Sequence, residues 1–291
     1  MKVFVISKNT LIYIGVAVLA VIAAVLIAVL TGGSSSGEQP ADPAAARPTQ
    51  KPDSVQSMSS GVNLIEEYEI EVLAGLMKEL PVYSVGRDDK KIALTIDAAW
   101  QDDKTPFILE TLEAYNIKAT FFLCGFWVNE HPDMVKRIYD AGHEIGNHSM
   151  THPHMNKLSK DAIVKELNDF ETAVSAIIGK KTTLFRAPYG EYNDNVVKTL
   201  RECGYEVIQW DIDTIDWREE RSAKTILDSV LPRIRNGSII LSHNNGYKIE
   251  QYLPTLIETL LSQGYEFATV SELLLDGETL IDVNGVQKRV S

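Results

Sequence analysis

The feature that most constrains the fold is an alternation of short apolar runs with longer segments of helical spacing, which starts at Lys91. The apolar runs are continuous rather than alternating with polar residues, which is typical of strands buried on both faces of a parallel sheet. The runs cover residues 92–96, 119–123, 144–146, 184–185, 206–210, 238–241 and 266–269. Glycines such as Gly179 and Gly204 follow the helical segments, where a left-handed residue usually ends a helix. The repeat predicts an α/β fold, and the number of strand–helix units favours a closed or partly closed barrel over a flat doubly wound sheet.

The first 31 residues contain an apolar run without charge at 11–30. A helix needs about 20 such residues to cross a bilayer. Lys2 and Lys8 precede the run, which favours a cytoplasmic N-terminus. A cleaved signal peptide is the alternative, because small residues follow at 31–33, but the run exceeds the roughly 7–15 apolar residues of a signal peptide. We expect residues 1–31 to be a cytoplasmic stub and a single membrane anchor, with the rest of the chain extracellular.

The remaining chain divides into four parts by composition. Residues 32–60 are rich in Gly, Ser, Pro, Ala and Gln and predict a flexible linker, because they carry too little apolar surface to offset the entropy of ordering. Residues 61–90 predict an amphipathic helix that ends before Pro81 and then an extended lead-in segment at 81–85. The strand–helix repeat fills residues 91–275. Residues 276–291 place two apolar segments around Asn284-Gly285, a strong hairpin signal.

Charge and cysteine content exclude some classes of protein. The net charge is −12 and no basic stripe with interleaved aromatic residues is present. Nucleic acid is therefore not the expected partner. Two cysteines cannot make a disulfide framework. We expect Cys124 and Cys203 to be buried free thiols.

Ionisable side chains follow several predicted strands at the same end. His148 and His152 stand four residues apart, and on a helical turn that spacing would bring both rings close enough to bind one metal ion. A histidine pair alone is more often a solvated turn. The other candidates are Asp97 after the first strand, Arg186 after the fourth, Asp213 and Asp216 after the fifth, and His243 after the sixth. In a parallel barrel these strand ends meet at one rim, which indicates a site with chemistry.

Four ordered motifs give residues 91–275 a resemblance to the polysaccharide deacetylases, the NodB-homology group of family 4 carbohydrate esterases. Residues 148–152 match H-[ST]-x-x-H, 186–190 match R-x-P-Y, 213–217 match D-x-x-D-W and 241–243 match L-x-H. The resemblance implies a distorted (β/α)7 barrel of the NodB-homology type. Residues 81–100 also resemble membrane-anchored sporulation-type peptidoglycan deacetylases.

The resemblance also implies a role for each candidate residue. It places a divalent metal, zinc by preference with cobalt or another divalent ion as alternatives, on His148 and His152. It makes Asp97 the catalytic base and His243 the acid. Two residues support these groups by the resemblance: Arg186 orients Asp97, and Asp213 stabilises protonated His243. The backbone N–H of Tyr189 helps to bind the oxyanion. Trp217 and Leu241 line the acetyl and sugar pocket.

The first motif departs from the family pattern. The usual T-F-D-D-G is Thr95-Ile96-Asp97-Ala98-Ala99 here, so that Ala98 stands where the family has an aspartate ligand of the metal. Three interpretations are open: water fills the vacancy, Asp102 or Asp103 reaches in from the same loop, or catalysis is reduced or absent.

Acetamide hydrolysis needs a polarised carbonyl, an activated water and a proton for the leaving amine, and the candidate residues can supply these. We expect a metal-dependent hydrolase that removes N-acetyl groups from amino sugars of peptidoglycan or a related cell-surface polysaccharide. The alternative is a glycan-binding or scaffolding protein on the same fold with weakened catalysis, for which Ala98 is the main support.

Overall fold

The computed structural model describes residues 79–290, which begin with the extended lead-in segment. Val82 makes a parallel bridge to Ile208, and strand β1 follows at Ser84–Val85. The extended segment predicted at 81–85 is therefore confirmed. The anchor predicted at 1–31, the linker at 32–60 and the body of the amphipathic helix lie outside the described residues.

The principal sheet is parallel throughout and has the strand order β6-β5-β4-β3-β2-β8-β7, with β9 paired to β2. Its strands are β2 (Lys91–Ala98), β3 (Thr120–Leu123), β4 (Glu144–Asn147), β5 (Leu184–Phe185), β6 (Glu206–Val207), β7 (Ile212–Asp213), β8 (Ile239–His243) and β9 (Glu266–Phe267). Within residues 79–290 no strand pairing joins β6 to β7. The sheet is thus a half-barrel covered by helices.

The fifth apolar run, 206–210, forms only the short strand β6, and a separate strand, β7, follows it at 212–213. β6 pairs with β5 at one edge of the sheet, whereas β7 pairs with β8 at the other edge. Residues 208–211 carry the chain across the opening between these edges. Each of these two strands is only two residues long, which is too short to give a separate periodic pattern in the sequence. The sequence analysis therefore did not predict β7.

The helices follow the strands as the periodicity predicts, apart from a short helix at Gly125–Glu130 that was not predicted. They are α1 (Thr105–Ala114), α2 (Gly125–Glu130), α3 (Pro132–Asp140), α4 (Lys160–Ile178), α5 (Asp194–Glu202), α6 (Ala223–Val230), α7 (Ile249–Ser262) and α8 (Val270–Leu273). The longest, α4, is preceded by Ser159, whose side chain accepts a hydrogen bond from the Ala162 N–H, and is followed by Gly179 with φ 73°. Between residues 79 and 290, no helix has the length and apolar character needed to span a membrane.

Strand β2 lies at the centre of the core and sorts its side chains by face. Ile92, Leu94 and Ile96 are fully buried in the main core cluster, among residues of the covering helices. Alternate residues, ending with Asp97, lie on the opposite face because successive strand side chains point to opposite sides. The alternation is what brings Asp97 to the inside of the half-barrel.

The C-terminal hairpin forms as predicted, and one of its strands pairs with the lead-in segment. β10 (Thr279–Ile281) and β11 (Val286–Arg289) pair antiparallel, and β11 pairs in parallel with β1. Gly285 has φ 77°, and a Cβ there would lie 2.3 Å from the Tyr83 ring. The hairpin is therefore a structural support for β1.

The two cysteines are free, but only one matches its predicted burial. Cys124 is buried, whereas Cys203 is exposed. The expectation for Cys203 was wrong because it follows the last residue of α5, at a helix end that faces solvent.

Candidate active site

A cavity of about 520 Å³ opens at the carboxyl edge of the sheet. The loops after β2, β4, β5, β7 and β8 form its wall, because parallel strands all end at this edge. Every candidate residue from the sequence except Arg186 and Asp216 lines it: Asp97, His148, His152, Tyr189, Asp213, Trp217, Leu241 and His243. The structure thus brings together residues that lie up to 146 positions apart in the sequence, from Asp97 to His243.

Asp97 is held in place by a buried arginine. Its Oδ1 accepts a 2.7 Å hydrogen bond from Nη1 of Arg186, which also donates to Thr95 Oγ1 and to the Gln209 carbonyl. Burial alone would raise the pKa of Asp97, but the charge of Arg186, aided by His148 and His243, outweighs burial and lowers it. Asp97 is therefore an ionised carboxylate with a fixed orientation.

The hydrogen bonds of His148 define its tautomer. Nδ1 lies 2.8 Å from the carbonyl oxygen of Arg186. A carbonyl can only accept, so Nδ1 carries the proton and Nε2 is left with a free lone pair. Nε2 lies 3.7 Å from Oδ2 of Asp97. Burial lowers the pKa of His148, so the ring is neutral.

His152 meets His148 by a different local geometry from the predicted helical turn. The two ring centroids lie 5.0 Å apart. Ser149 and His152 have φ of 66° and 57°, so the segment between the histidines is an irregular loop with two left-handed residues. Nδ1 of His152 is buried and has no hydrogen-bond partner within residues 79–290. Burial, and then His148, lowers the pKa of His152 to about 4, which keeps this ring neutral too.

The loop that carries the histidines is anchored by Glu166 on α4. Glu166 accepts hydrogen bonds from the backbone N–H groups of Met150 (2.9 Å) and Thr151 (2.8 Å) and from the Thr151 hydroxyl (2.7 Å). The Gly125 N–H at the start of α2 donates to the Ser149 carbonyl. Sequence reasoning missed Glu166. The available signal was an acidic side chain next to Ile163, Leu167 and Phe170 on the buried face of the helix.

The third metal ligand of the family pattern is absent from the cavity. Ala98 is fully buried at the end of β2, and Ala99 lines the cavity wall. Asp102 lies 3.3 Å from Nδ1 of His131, and Asp103 is exposed; neither lines the cavity. The described structure therefore gives no support to the interpretation that one of these two carboxylates replaces the missing ligand.

The donor atoms present fit two positions of a divalent metal site. Two neutral imidazoles offer a lone pair each, and the unpartnered Nδ1 of His152 is consistent with a ligand role. In the described part of the chain, no group of three or more His, Cys, Asp or Glu side chains could hold a metal ion. Catalytic zinc sites usually have three protein ligands. A metal at this site would depend on the two histidines alone.

The partner of His243 is Asp216, not Asp213 as expected from the resemblance. His243 Nδ1 donates to Asp216 Oδ1 at 2.7 Å, and Asp216 Oδ2 accepts from the His243 N–H and from the Tyr252 hydroxyl. Asp213 instead accepts from the Ile215 N–H at 2.7 Å and lines the cavity. The reason is the left-handed φ of 53° at Ile215, which turns the chain back so that Asp216 lies beneath β8.

The charge state of His243 follows from these contacts. Burial alone would lower the pKa of His243, but the hydrogen bond and charge of Asp216, with Asp97 and Asp213, raise it above the usual value. His243 pairs in register with Asp97 on the neighbouring strand. An imidazole whose protonated form is favoured by its neighbours and an ionised carboxylate thus lie side by side at the cavity.

The aromatic residues of the motifs lie at the cavity mouth. Tyr189 has φ 60°, and its ring stacks on His154 with centroids 4.5 Å apart. His154 donates from Nδ1 to Glu191 at 2.8 Å, which accounts for this histidine without a metal role. Trp217 is about half exposed, whereas Leu241 is buried in the wall.

Comparisons with known proteins give consistent results. The family model of polysaccharide deacetylases matches residues 84–208. The chain is 37% identical over 195 residues to peptidoglycan-N-acetylglucosamine deacetylase PgdA of Listeria monocytogenes, covering 67% of this chain and 41% of that protein. It is 31% identical over 232 residues to peptidoglycan-N-acetylmuramic acid deacetylase PdaA of Bacillus subtilis, covering 79% of this chain and 83% of that protein. The chain therefore spans less than half of the Listeria relative.

Two solved structures of one protein are similar to the chain. BA3943 of Bacillus anthracis, described as a CE4 family pseudoenzyme, is 37% identical with a TM-score of 0.64, covering 68% of this chain and 69% of that chain. A BA3943 mutant described as having restored enzymatic activity is 38% identical with a TM-score of 0.64, covering 68% of this chain and 72% of that chain.

Proposed function

Because the chain belongs to the polysaccharide deacetylase family, the family 4 carbohydrate esterases, we propose that it hydrolyses the N-acetyl group of an amino sugar in peptidoglycan or a related cell-surface glycan. The observation that carries this proposal is the pair Asp97 and His243, a base and an acid on neighbouring strands of one cavity. The relatives named above, which are called peptidoglycan deacetylases, support the choice of substrate.

The proposed chemistry follows from the protonation states of the two residues. Amide hydrolysis needs a base that takes a proton from the attacking water and an acid that protonates the leaving amine. Asp97, kept ionised by Arg186, accepts the proton of the water. His243 donates from Nε2 to the amine nitrogen, because its Nδ1 is occupied by Asp216. The backbone N–H of Tyr189 is proposed to bind the oxyanion.

A divalent metal, zinc by preference, is the cofactor that we propose for His148 and His152. When bound, such a metal polarises the acetyl carbonyl and lowers the pKa of a bound water to about 7 in favourable zinc sites. The neutral state of both imidazoles supports this assignment. The missing third side-chain ligand predicts weaker binding than in a three-ligand site.

The same missing ligand favours a second candidate function. A glycan-binding or scaffolding protein with weakened catalysis would keep the cavity and lose the metal ligand. The similarity to a protein described as a pseudoenzyme supports this alternative. Against it, a binding protein would not need the buried Arg186–Asp97 pair or the partly buried Asp216–His243 pair.

Acetate release separates the two functions. The full-length chain is incubated with N-acetylated glycan oligomers, with and without added zinc or cobalt. We expect metal-stimulated release that falls by about 10²- to 10⁴-fold in Asp97→Asn, the usual contribution of a general base. Leu280→Ala, on the C-terminal hairpin, is the control. Binding without acetate release under any metal would support the binding protein, and neither binding nor release would contradict both functions.

We also propose that residues 1–31 anchor the protein in the cell membrane by one span, with the rest extracellular. The uncharged run at 11–30 and the preceding Lys2 and Lys8 support this proposal. We expect the protein in the membrane fraction, with residues beyond the run open to protease added to intact protoplasts. A shortened protein released into the medium would instead show a cleaved signal peptide.

A further inference from the structure

Residues 208–211, which cross the opening of the half-barrel between β6 and β7, contain a buried glutamine that none of the sequence motifs includes. Gln209 is 1% exposed. Burying an amide costs free energy unless its polar groups are hydrogen-bonded. Gln209 has one hydrogen bond from its side chain and two from its backbone, and each reaches a different residue.

The two backbone bonds of Gln209 fix its position in the fold. Its N–H donates to the carbonyl of Val82 in the lead-in segment at 2.7 Å. Its carbonyl accepts from Nη2 of Arg186 at 3.0 Å. Both partners are fully buried. Gln209 is therefore tied to the lead-in segment and to the arginine that holds Asp97.

The side chain of Gln209 contacts the turn that carries Tyr189. Its Nε2 donates to the Gly190 carbonyl at 3.2 Å. The next residue, Trp210, packs on the same glycine, since a Cβ on Gly190 would lie 2.9 Å from the Trp210 ring. Gln209 thus bonds to the first residue, Arg186, and to the last, Gly190, of the segment that matches R-x-P-Y.

The backbone of the Tyr189 turn needs support from outside the turn. Tyr189 and Gly190 have φ of 60° and 66°, so two consecutive residues are left-handed. A residue with a side chain is strained in this conformation and keeps it only where surrounding contacts hold it. The Gly190 N–H donates to the Ala187 carbonyl, which closes the turn but does not fix it relative to the rest of the cavity. The Gln209 amide supplies a bond from a segment distant in sequence.

We propose that Gln209 is a positioning residue whose side chain holds the Tyr189 turn, so that the backbone N–H of Tyr189 keeps its place relative to Asp97. The backbone carbonyl of Gln209 supports the base through Arg186, and its side-chain amide supports the oxyanion donor. The inference rests on the proposed function, which assigns the oxyanion to this N–H. Gln209 does not line the cavity, so it acts through Tyr189 and not on the substrate.

Acetate-release kinetics of the full-length chain, with N-acetylglucosamine oligomers and added zinc, test the catalytic consequence. Gln209→Met keeps the length of the side chain and both backbone bonds but cannot donate to Gly190. We expect kcat to fall roughly 10- to 100-fold, because a misplacement of about 1 Å can cost about 10²-fold, and KM to change less than about 3-fold. The acidic limb of the pH–rate profile should stay in place, because the bond from Arg186 to the Gln209 carbonyl remains and Asp97 is unaffected.

Amide hydrogen exchange of the full-length chain tests the turn directly. In Gln209→Met the amides of residues 189–191 should exchange faster, whereas those of α4 should not change. Gln209→Asn keeps the amide but is one methylene shorter, so it should show the same local change, and it replaces the methionine variant if that variant does not fold. Gln287→Met is the matched control, because Gln287 is also buried and bonds the Leu275 N–H. It should lower the melting temperature without changing kcat or the exchange of residues 189–191.

The outcomes separate this inference from the proposed function. Unchanged exchange of residues 189–191 in both Gln209 variants would overturn the inference whether or not acetate is released. A shifted acidic limb would show that the side chain acts through Arg186, and faster exchange with an unchanged kcat would show that the turn needs no positioning; either result would also overturn it. Faster exchange in the variants of a protein that releases no acetate under any metal would support the hold on the turn and contradict the deacetylase.

Discussion

At the scale of the residue, the proposed acid His243 is oriented by a carboxylate that does not line the cavity. Asp216 is fully buried and bonds His243 at Nδ1. Its charge and hydrogen bond oppose the effect of burial and raise the pKa of His243. The proton that we propose His243 gives to the leaving amine therefore stays on the ring to a higher pH than it would on an isolated histidine.

Removing that carboxylate shifts the pH dependence of activity. In Asp216→Asn the pKa of His243 falls, so that His243 loses its proton at lower pH. We expect the alkaline limb of kcat/KM to move to lower pH and the maximal rate to fall, by up to the roughly 10²- to 10⁴-fold that general acid catalysis supplies. A pH–rate profile measures both effects. Asp213→Asn is the matched control, and a larger shift in that variant would contradict the assignment.

Restoring the missing ligand should increase metal affinity. Ala98→Asp adds a carboxylate at the end of β2, in the family's ligand position. We expect divalent metal to bind tighter by at least 10- to 100-fold, roughly the amount that outer partners of metal ligands alone contribute. Calorimetric titration with zinc and thermal unfolding with and without zinc are the measurements.

Ala99→Asp is the matched variant, because Ala99 lines the cavity one residue further on. It adds the same charge and should gain less affinity. A greater gain at Ala99 would show that the ligand position is misassigned. Loss of stability in Ala98→Asp at all zinc concentrations would show that the new carboxylate is buried away from the histidines.

At the scale of the element, the lead-in strand depends on one close backbone approach. The Val85 N–H donates to the Gly237 carbonyl at 2.9 Å. Gly237 has φ 77°, and a Cβ there would lie 1.7 Å from the Val85 carbonyl oxygen. No side chain fits between β1 and the turn before β8.

Gly237→Ala should therefore lower the unfolding free energy by more than the cost of placing alanine in a left-handed backbone conformation. Gly204 has a similar φ of 85° but open space around its Cβ position. We expect Gly204→Ala to cost about 1–2 kcal/mol of unfolding free energy from the left-handed conformation. Gly237→Ala should cost roughly 3 kcal/mol or more, because the backbone must move as well. Denaturant unfolding of both variants measures the difference, and equal costs would contradict the close approach.

At the scale of the whole molecule, the two ends of the described chain stabilise each other. β1 and the hairpin form one sheet, and the Gln287 side chain accepts from the Leu275 N–H at the end of the helical repeat. No hairpin residue lines the cavity. The hairpin therefore contributes to stability and not directly to the proposed chemistry.

Truncation after Leu275 should lower the melting temperature and leave the cavity chemistry intact below it. We expect a loss of several degrees, since each kcal/mol corresponds to roughly 2–4 °C in a domain of this size. Differential scanning calorimetry and acetate release at low temperature are the measurements. Val283→Ser, at a position 84% exposed, should change neither. An unchanged melting temperature on truncation would contradict the structural role.

The stability of the whole molecule should also fall in mild acid. Burial, and then the charge of Lys118, lowers the pKa of His143 to about 4. A histidine that stays neutral in the native state contributes its full stabilisation of the fold at pH values above its unfolded pKa, which is near 6.5. That contribution to the unfolding free energy is lost as the pH falls towards about 4. The full effect is about 3 kcal/mol at 1.36 kcal/mol per pKa unit. His143→Gln should flatten this part of the pH–stability curve, and an unchanged slope would contradict it.

The sequence by itself determined the parallel strand–helix repeat, the C-terminal hairpin and the edge of the sheet at which Asp97, His148 and His243 meet. These follow from local patterns, because periodicity defines strands and helices and parallel strands end at one edge. The family resemblance identified eight residues that do line the cavity, and it identified the vacancy at Ala98.

Only the tertiary structure decided which residues support the site. The partner of His243 depends on a left-handed turn at Ile215, a residue type that rarely adopts it, so no local pattern could choose Asp216 over Asp213. The histidine loop depends on Glu166, which is distant in sequence and meets the loop only after α4 packs on the sheet. The division of residues 206–213 between two sheet edges likewise depends on both partners. Such features arise from contacts between distant segments, which the order of residues along the chain does not display.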